Sequence, residues 1–513
     1  MSDTTTDRLD PASAGPESEL KRSITGKLLF FYVLGDVLGS GIYVLIGLVA
    51  GAIGGAFWMA FAVGVTLATI TGLAYAELVT KYPQAAGAAL YVNKAFKNKA
   101  LTFLVTVTFL SASFAAAGSL ATGFSSYFSE VWELPPALLI SLIFIVMLAV
   151  VNYIGITESV VANMLMTFVE VAGLIIIMII GVVVVAKGDA DFGTLVNYEA
   201  DGNPIFALVA GVALAFFAMT GFENAANVAE ETVDPKRTFP RALVGGMVVA
   251  GVALAFFAMT GFENAANVAE ETINPSKTFP RALVGGMIAA GVIYVLVAIS
   301  AALTVSTKTL ADADAALIEV VKEGVLPVPV GVMATLFAVI AMIAITNTTL
   351  VAVVTQSRIL YGMAREDVVP GAFAKIHASR RSPWVALIFS AFVVVGLLLV
   401  GGALNKAGVG VDVVARLSLV TVVLTLAIYV MVILACLKLG DHDNHDESFR
   451  ASRPLLYLGI VGNFMLLVYV VVDDPFSLVW CAGLLAVGGA LYAIEYFFGR
   501  PESDRSIANA EES

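Results

Sequence analysis

The stretch LGDVLGSGIYVLIG, residues 34–47, decides the fold. It is apolar enough to lie in a bilayer, yet Gly39, Ser40 and Gly41 follow one another in its middle. Because an unpaired backbone group is costly in hydrocarbon, an interrupted membrane helix persists where it lines a protected cavity. The stretch therefore predicts a broken helix whose freed N–H groups face a substrate carboxylate. Close packing of small residues against a neighbouring helix is the alternative.

A second stretch of the same kind is ALAFFAMTGFENAANVAEET, residues 213–232, in which Thr220 and Gly221 form another candidate break. Three acids stand in apolar segments: Asp36, Glu170 and Glu223. An ionised acid at the bilayer centre costs about 2.5 kcal/mol or more, so such a group is usually paired, protonated or functional. The three acids predict proton or cation handling, and structural hydrogen bonding by a protonated carboxyl is the alternative.

Composition places most of the chain in the membrane. Of its 513 residues, 59% are hydrophobic and 13% are charged, whereas about 25% are charged in an average soluble domain. At about 20 residues per crossing, the hydrophobic runs allow about 12 helical spans and predict an all-α integral membrane protein. The predicted spans cover residues 28–49, 55–80, 101–129, 136–154, 160–186, 205–229, 281–305, 328–362, 383–402, 411–438, 455–472 and 477–498.

Lysine and arginine gather in alternate loops, which orients the protein. By the positive-inside rule both termini are cytoplasmic in a multi-pass protein of the cytoplasmic membrane. Residues 1–25 are then an acidic cytoplasmic tail, 26–498 the transmembrane domain and 499–513 a second cytoplasmic tail. The basic clusters are Lys21, Arg22 and Lys27; Lys81, Lys94, Lys97 and Lys99; Lys236, Arg237 and Arg241; Arg365, Lys375, Arg380 and Arg381; Lys438, Arg450 and Arg453; and Arg500 and Arg505.

A tandem copy interrupts this regular pattern. Residues 209–232 recur letter for letter at 249–272, and 238–247 recur at 278–287. A near-identical unit of this size is either a recent duplication or a sequence-assembly error. One added crossing would invert everything downstream, against the loop charges, so we predict that residues 242–280 re-enter or pack peripherally.

Several functional classes are excluded. The cysteines Cys436 and Cys481 lie in apolar runs, which indicates neither a disulfide framework nor a zinc site. The acidic loop Asp441–Glu447 is interpreted as solvated, so no metal is expected. The spans contain no clustered His, Cys or nucleophile, and no basic surface is interleaved with aromatic residues. We therefore expect neither an enzyme nor a nucleic-acid partner.

Separated motifs, in order, resemble the amino acid-polyamine-organocation (APC) permease family over residues 25–498. They are GSGI at Gly39–Ile42, AELVTKYPQAAG at Ala76–Gly87, FFAMTGFENAANVAEET at Phe216–Thr232 followed by TFPRAL, and SRILYGMAREDVVP at Ser357–Pro370. The resemblance implies the LeuT-type architecture of two inverted five-helix repeats, with the first and sixth spans unwound at the substrate. The first repeat would cover about 28–186, the second about 205–438 including the duplicated segment 249–288, and two accessory helices 455–498.

The resemblance implies secondary transport of amino acids by alternating access among membrane lipids, as proton-coupled symport or amino acid exchange. A non-transporting amino acid or amine sensor and a polyamine or organocation antiporter are the alternatives. Oligomeric state and the particular amino acid are not predicted.

The family's site carries over by motif. Gly39, Ser40 and Gly41 would hold the substrate carboxylate, Phe217 would be the aromatic gate, and Thr220 and Gly221 the unwound stretch beside Glu223. Ser111 and Asn347 are further candidate substrate contacts. The tandem copy supplies duplicate candidates, and the first copy is favoured because its upstream context is native. The duplicates are Phe257, Thr260, Gly261 and Glu263.

No cofactor is expected beyond a coupling ion, which is a proton carried by Glu223, Glu170 or Asp36. Glu170 departs from the family pattern, since some proton-coupled relatives carry a Lys in this place. Sodium is the alternative ion, with oxygens from Thr346, Thr348 and Thr349.

Overall fold

The computed structural model describes residues 41–82, 87–133, 135–154, 156–198, 203–220, 223, 292–365, 369–377, 380, 382–408, 412–440 and 450–498. Several predictions fall outside these residues: both tails, the re-entrant segment 242–280, the acidic loop Asp441–Glu447, and the site candidates Asp36, Gly39, Ser40, Gly221, Phe257, Thr260, Gly261 and Glu263.

The described part of the chain is built from α-helices and short 3-10 turns, without a β-strand. The helices are α1 (Gly41–Ile53), α2 (Trp58–Lys81), α3 (Gly87–Phe96), α4 (Lys99–Ser129), α5 (Ala137–Ile154), α6 (Ile156–Lys187), α7 (Pro204–Phe217), α8 (Val292–Thr304), α9 (Thr307–Asp312), α10 (Ala316–Lys322), α11 (Val330–Arg365), α12 (Trp384–Lys406), α13 (Val413–Gly440), α14 (Arg453–Asp473) and α15 (Ser477–Phe498).

Nine helices within the described ranges are long and apolar enough to cross a membrane: α2, α4, α5, α6, α11, α12, α13, α14 and α15. Large apolar side chains point outward from several of them, for example Ile143, Phe464, Met465 and Phe497. Such surfaces suit hydrocarbon and not water. The prediction of an all-α integral membrane protein is confirmed.

Helix α7 is too short to cross a bilayer. Asn203 caps its first turn by accepting a hydrogen bond from the Ile205 N–H (2.9 Å), and the helix ends at Phe217 after 14 residues. At about 1.5 Å per residue it spans roughly 21 Å, against about 30 Å of hydrocarbon. The chain therefore leaves the helix within a predicted span, three residues before Thr220.

Helices α4, α11 and α13 form the buried centre, and polar contacts join them. Ser119 of α4 lies 2.7 Å from Ser418 of α13, oxygen to oxygen. The Gln356 amide of α11 donates to the Ser113 carbonyl of α4 (2.9 Å). These bonds satisfy polar groups that hydrocarbon would leave unpaired, so they fix how the three helices pack.

A buried carboxylate ties α2 to the accessory helix α14. Glu77 is fully buried, and its oxygens accept from Lys81 (3.1 Å), from Arg453 (3.4 Å) and from the backbone N–H of Ala451 (2.8 Å). Two of these three donors come from the segment that begins α14. Glu77 thus has a structural role at the predicted cytoplasmic end of the bundle.

The helices α9 and α10 cover α1 at the opposite end. A Cβ added to Gly47 would lie 2.4 Å from the Leu310 carbonyl oxygen, so this approach requires glycine. Lys322 at the end of α10 pairs with Glu130 (3.0 Å) after α4 and with Glu319 (2.8 Å). Partial burial acts to lower the pKa of Lys322, but the hydrogen bonds to Glu319 and Glu130 outweigh it and raise the pKa.

At the same end an ion pair joins α13 to the turn between α14 and α15. Arg416 donates to Asp474, which also accepts from the Ser477 hydroxyl. Partial burial acts to raise the pKa of Asp474, but the bonds from Arg416 and Ser477 outweigh it, so the pKa lies below its usual value. Asp474 therefore contributes stability above the unfolded-state pKa near 3.8, and this contribution is lost as the pH falls through the folded-state pKa.

We predict that Asp474→Asn lowers the stability of the full chain in detergent micelles at pH 7 by about 1 kcal/mol, or roughly 1–2 °C in Tm, because a partly exposed ion pair is lost. The difference from the parent protein should shrink as the pH falls below 3.8 and vanish below the folded-state pKa, where Asp474 is protonated in both states. Asp473→Asn is the matched control, since the one hydrogen bond that Asp473 accepts within the described residues is a long one from Tyr469 (3.4 Å). Equal losses in the two variants would contradict this role for the Arg416–Asp474 pair.

Candidate functional site

The two stretches that predict broken helices meet in the structure. A Cβ placed on Gly41 of α1 would lie 2.3 Å from the Cα and 2.7 Å from the Cβ of Ala218, the residue that follows α7. Real side chains do not approach so closely, so only glycine permits this contact. The structure thus brings Gly41 beside the chain segment that contains Phe217 and Thr220.

The end of α7 is closed by tight local bonds. The N–H groups of Ala218, Met219 and Thr220 donate to the carbonyls three residues earlier, at 3.0, 3.0 and 3.1 Å. The Thr220 hydroxyl donates to the Phe217 carbonyl (2.8 Å). The helix therefore ends in a turn of 3-10-type hydrogen bonds, which satisfy some of its last carbonyl groups. Phe217 is buried, and Thr220 is half-buried.

Helix α8 supplies a further partner for this end. The Tyr294 hydroxyl, on a fully buried side chain, donates to the Ala218 carbonyl (3.4 Å). The Tyr294 ring also lies 6.0 Å from the Phe61 ring of α2, centroid to centroid. Sequence analysis missed Tyr294, since one tyrosine in an apolar helix does not reveal which carbonyl it reaches.

Glu223 lies beyond the end of α7 and is buried, with 5% of its surface exposed. Its Oε2 accepts a hydrogen bond from the Tyr429 hydroxyl of α13 at 2.8 Å. The ring of Tyr429 stands edge-on to those of Phe216 (5.8 Å) and Tyr75 (6.1 Å). Sequence analysis selected Glu223 and missed Tyr429, 206 residues away in the chain.

Glu170 forms a second buried acidic site, between α6 and α11. It is fully buried, and its Oε2 accepts from the Asn347 amide at 3.2 Å. The same amide nitrogen lies 3.1 Å from the Thr167 hydroxyl. The structure thus joins a candidate coupling residue to a candidate substrate contact, and the Asn347 amide is engaged with α6.

Hydrogen bonds from tyrosine hydroxyls to backbone carbonyls join helix α1 to this second acidic site. The Tyr43 hydroxyl donates to the Glu170 carbonyl oxygen (2.8 Å), and the Tyr127 hydroxyl of α4 donates to the Tyr43 carbonyl (2.8 Å). Helix α1 therefore packs against the end of α7 at Gly41 and is hydrogen-bonded to α6 and α4 two residues later. Ser111 is buried in α4, but no hydrogen bond within the described residues joins it to the other candidates.

The two acids are contacted by neutral donors, a phenol at Glu223 and an amide at Glu170. Donation to a carboxylate stabilises its charged form, whereas burial favours the neutral form. Carboxyls balanced in this way are suited to bind a proton or the ammonium group of a ligand.

Comparison with known proteins gives the family. A family model described as amino acid permease matches residues 25–254 and 246–480, two stretches that overlap inside the tandem copy. A cationic amino acid transporter of Arabidopsis thaliana is 26% identical over 67% of this chain, but the match spans only 55% of that protein. A branched-chain amino acid permease of Bacillus subtilis is 23% identical over 74% of each chain. A methylthioribose transporter of the same organism is 25% identical over 89% of this chain and 91% of that protein.

The fold is shared with a solved transporter. The crystal structure of a manganese transporter mutant from Eremococcus coleocola is similar with a TM-score of 0.56 and 14% identity, over 92% of this chain and 93% of that one. That similarity shows the fold alone, whereas the family match covers most of the sequence. The chain is a multi-pass membrane protein that belongs to the amino acid permease family, within the APC families that its motifs resemble.

Proposed function

We propose that this permease is a secondary active transporter that moves amino acids across the cytoplasmic membrane by alternating access, driven by proton entry. The observation that carries the proposal is the end of α7 at Phe217, pressed against Gly41 of α1 and followed by the buried Glu223. Helix ends within a membrane expose N–H and carbonyl groups that suit the charged ends of an amino acid.

In this proposal the segment at Gly41 holds the substrate carboxylate, and the chain after Phe217 holds the amino group. The names of two relatives indicate amino acids with branched or cationic side chains as the first substrates to test. Buried acids favour neutral and cationic substrates over acidic ones. The methylthioribose transporter matches nearly the whole chain, so this sugar belongs among the competitors to be tested.

We assign the coupling proton to Glu223 because it lies next to the α7 end, where in this proposal the helices close over the substrate. Glu170 is hydrogen-bonded into the contact between α6 and α11, which suits a structural carboxyl. Sodium is the alternative coupling ion, because the hydroxyls of Thr346 and Thr349 donate to carbonyls of their own helix (both 2.7 Å) and keep oxygen lone pairs that suit a cation. Uptake measured with a proton gradient and with a sodium gradient distinguishes the two coupling ions.

The first test is uptake of labelled leucine and arginine into proteoliposomes that contain the full chain. We expect an inward proton gradient to drive accumulation that a proton ionophore abolishes and protein-free liposomes do not show. Unlabelled amino acids and methylthioribose then compete for uptake. Stimulation by a sodium gradient alone would contradict proton coupling, and retained binding without uptake or counterflow would indicate a sensor.

Gly41→Ala tests the contact between α1 and α7. The added methyl group has no room beside Ala218, so it separates the two helices, and we expect uptake at least tenfold lower in a protein that still folds. The matched control is Gly396→Ala in α12, where an added Cβ meets nothing within 4 Å. If both variants transport at the parent rate, the α1–α7 contact does not form the substrate site.

Glu223→Gln and Glu170→Gln test the assignment of the proton. The amide keeps the size and much of the hydrogen bonding of the carboxyl but does not titrate. We expect Glu223→Gln to abolish stimulation of uptake by the proton gradient while exchange of internal for external substrate continues. We expect Glu170→Gln to retain the stimulation. The reverse result would place proton coupling on α6.

A further inference from the structure

A tyrosine from the opposite half of the chain reaches the acid beside the α7 end. The Tyr429 side chain is fully buried in α13, and its hydroxyl lies 2.8 Å from the Glu223 Oε2. A phenol donates a hydrogen bond more readily than it accepts one, so it stabilises a carboxylate more than a carboxylic acid. Glu223 is also buried, with 5% of its surface exposed, and a hydrogen bond is electrostatically stronger in such surroundings than in water.

The position of the phenol is fixed by rings on two other helices. Tyr75 of α2 meets the Tyr429 ring at 76° and Phe216 of α7 meets it at 64°, both in the edge-to-face arrangement that aromatic pairs prefer. The Tyr75 ring is itself met edge-on by Tyr91 of α3, centroid to centroid at 6.0 Å. The Tyr429 hydroxyl therefore has little freedom to swing away from Glu223.

Ionisable groups on the described helices around this carboxyl have contacts of their own. From α2, Tyr75 interacts electrostatically with Glu223, while Glu77 is bound by Lys81 and Arg453. Helix α7 contains no ionisable side chain, and Tyr294 of α8 is directed to the Ala218 carbonyl. From α13, Tyr429 is the group within hydrogen-bond distance, while Arg416 pairs with Asp474 and Lys438 lies over the Phe96 ring of α3.

We propose that Tyr429 is a positioning residue that holds Glu223 in its ionised form and so sets the pH at which this carboxyl takes up a proton. Tyr75 and Phe216 keep the phenol in place, which makes the protonation of Glu223 depend on how α7 sits against α13 and α2. Separation of the α7 end from α13 breaks the bond and favours proton uptake. This role for Tyr429 rests on the proposed proton coupling by Glu223 and adds the group that tunes it.

The test is a pH titration of the carboxyl itself. The full chain in liposomes is titrated by difference infrared spectroscopy, and the C=O band of protonated Glu223 is identified by its loss in Glu223→Gln. We expect Tyr429→Phe to move the midpoint of this band upward by about one pH unit, the effect of one lost hydrogen bond to a charged group. A carboxyl that stays ionised in the parent protein and titrates only in Tyr429→Phe also supports the proposal.

Tyr91→Phe is the matched control. It removes a buried phenol from the same ring cluster, and that hydroxyl has no hydrogen-bond partner within the described residues, so the midpoint should not move. An unchanged midpoint in Tyr429→Phe, an equal shift in Tyr91→Phe, or a carboxyl that titrates in neither protein would overturn the role of Tyr429. Failure of proton coupling by Glu223 is seen separately, as gradient-stimulated uptake that survives Glu223→Gln.

Discussion

The structure depends on the contact between Gly41 of α1 and the residue that follows α7. A helix that ends inside a bilayer exposes carbonyl groups that hydrocarbon cannot satisfy. Here the last turn is closed by 3-10-type bonds, by the Thr220 hydroxyl and by Tyr294 of α8. The close approach of Gly41 leaves no room for a side chain between the two helices.

The same constraint explains where the buried acids lie. A carboxyl in the membrane persists when nearby donors stabilise it, and here the donors are neutral groups from helices distant in sequence. Tyr429 of α13 reaches Glu223, and Asn347 of α11 reaches Glu170. The hydrogen bond to each acid therefore depends on how the two elements that it joins are packed. In the proposed transport cycle, this arrangement would make proton binding depend on helix packing.

The sequence was sufficient for the membrane-length helices that the structure describes, and it marked the segment in which α7 ends. Hydrophobic runs predicted all nine membrane-length helices of the described residues, and glycine together with a polar residue marked both stretches that meet at Ala218. The sequence did not predict which side chains are hydrogen-bond partners, because hydrophobic periodicity does not show which helices pack together. Tyr429 and Tyr294 look like ordinary core aromatics, and Asn347 was predicted to contact substrate although its amide contacts Glu170 and Thr167. Helix α7 ends at Phe217, three residues before the break that was predicted at Thr220 and Gly221.

Substrate protection of a single introduced thiol tests the central claim most directly. Thr220 is half-buried beside the α7 end, whereas the native Cys436 and Cys481 are both buried and give little background. The Thr220→Cys variant is labelled in proteoliposomes with a membrane-permeant maleimide, with and without an amino acid that the parent protein takes up. The account predicts that this amino acid slows labelling several-fold, while an amino acid that is not taken up does not. Equal labelling rates under both conditions, in a variant that still transports, would contradict a substrate site at the meeting of α1 and α7.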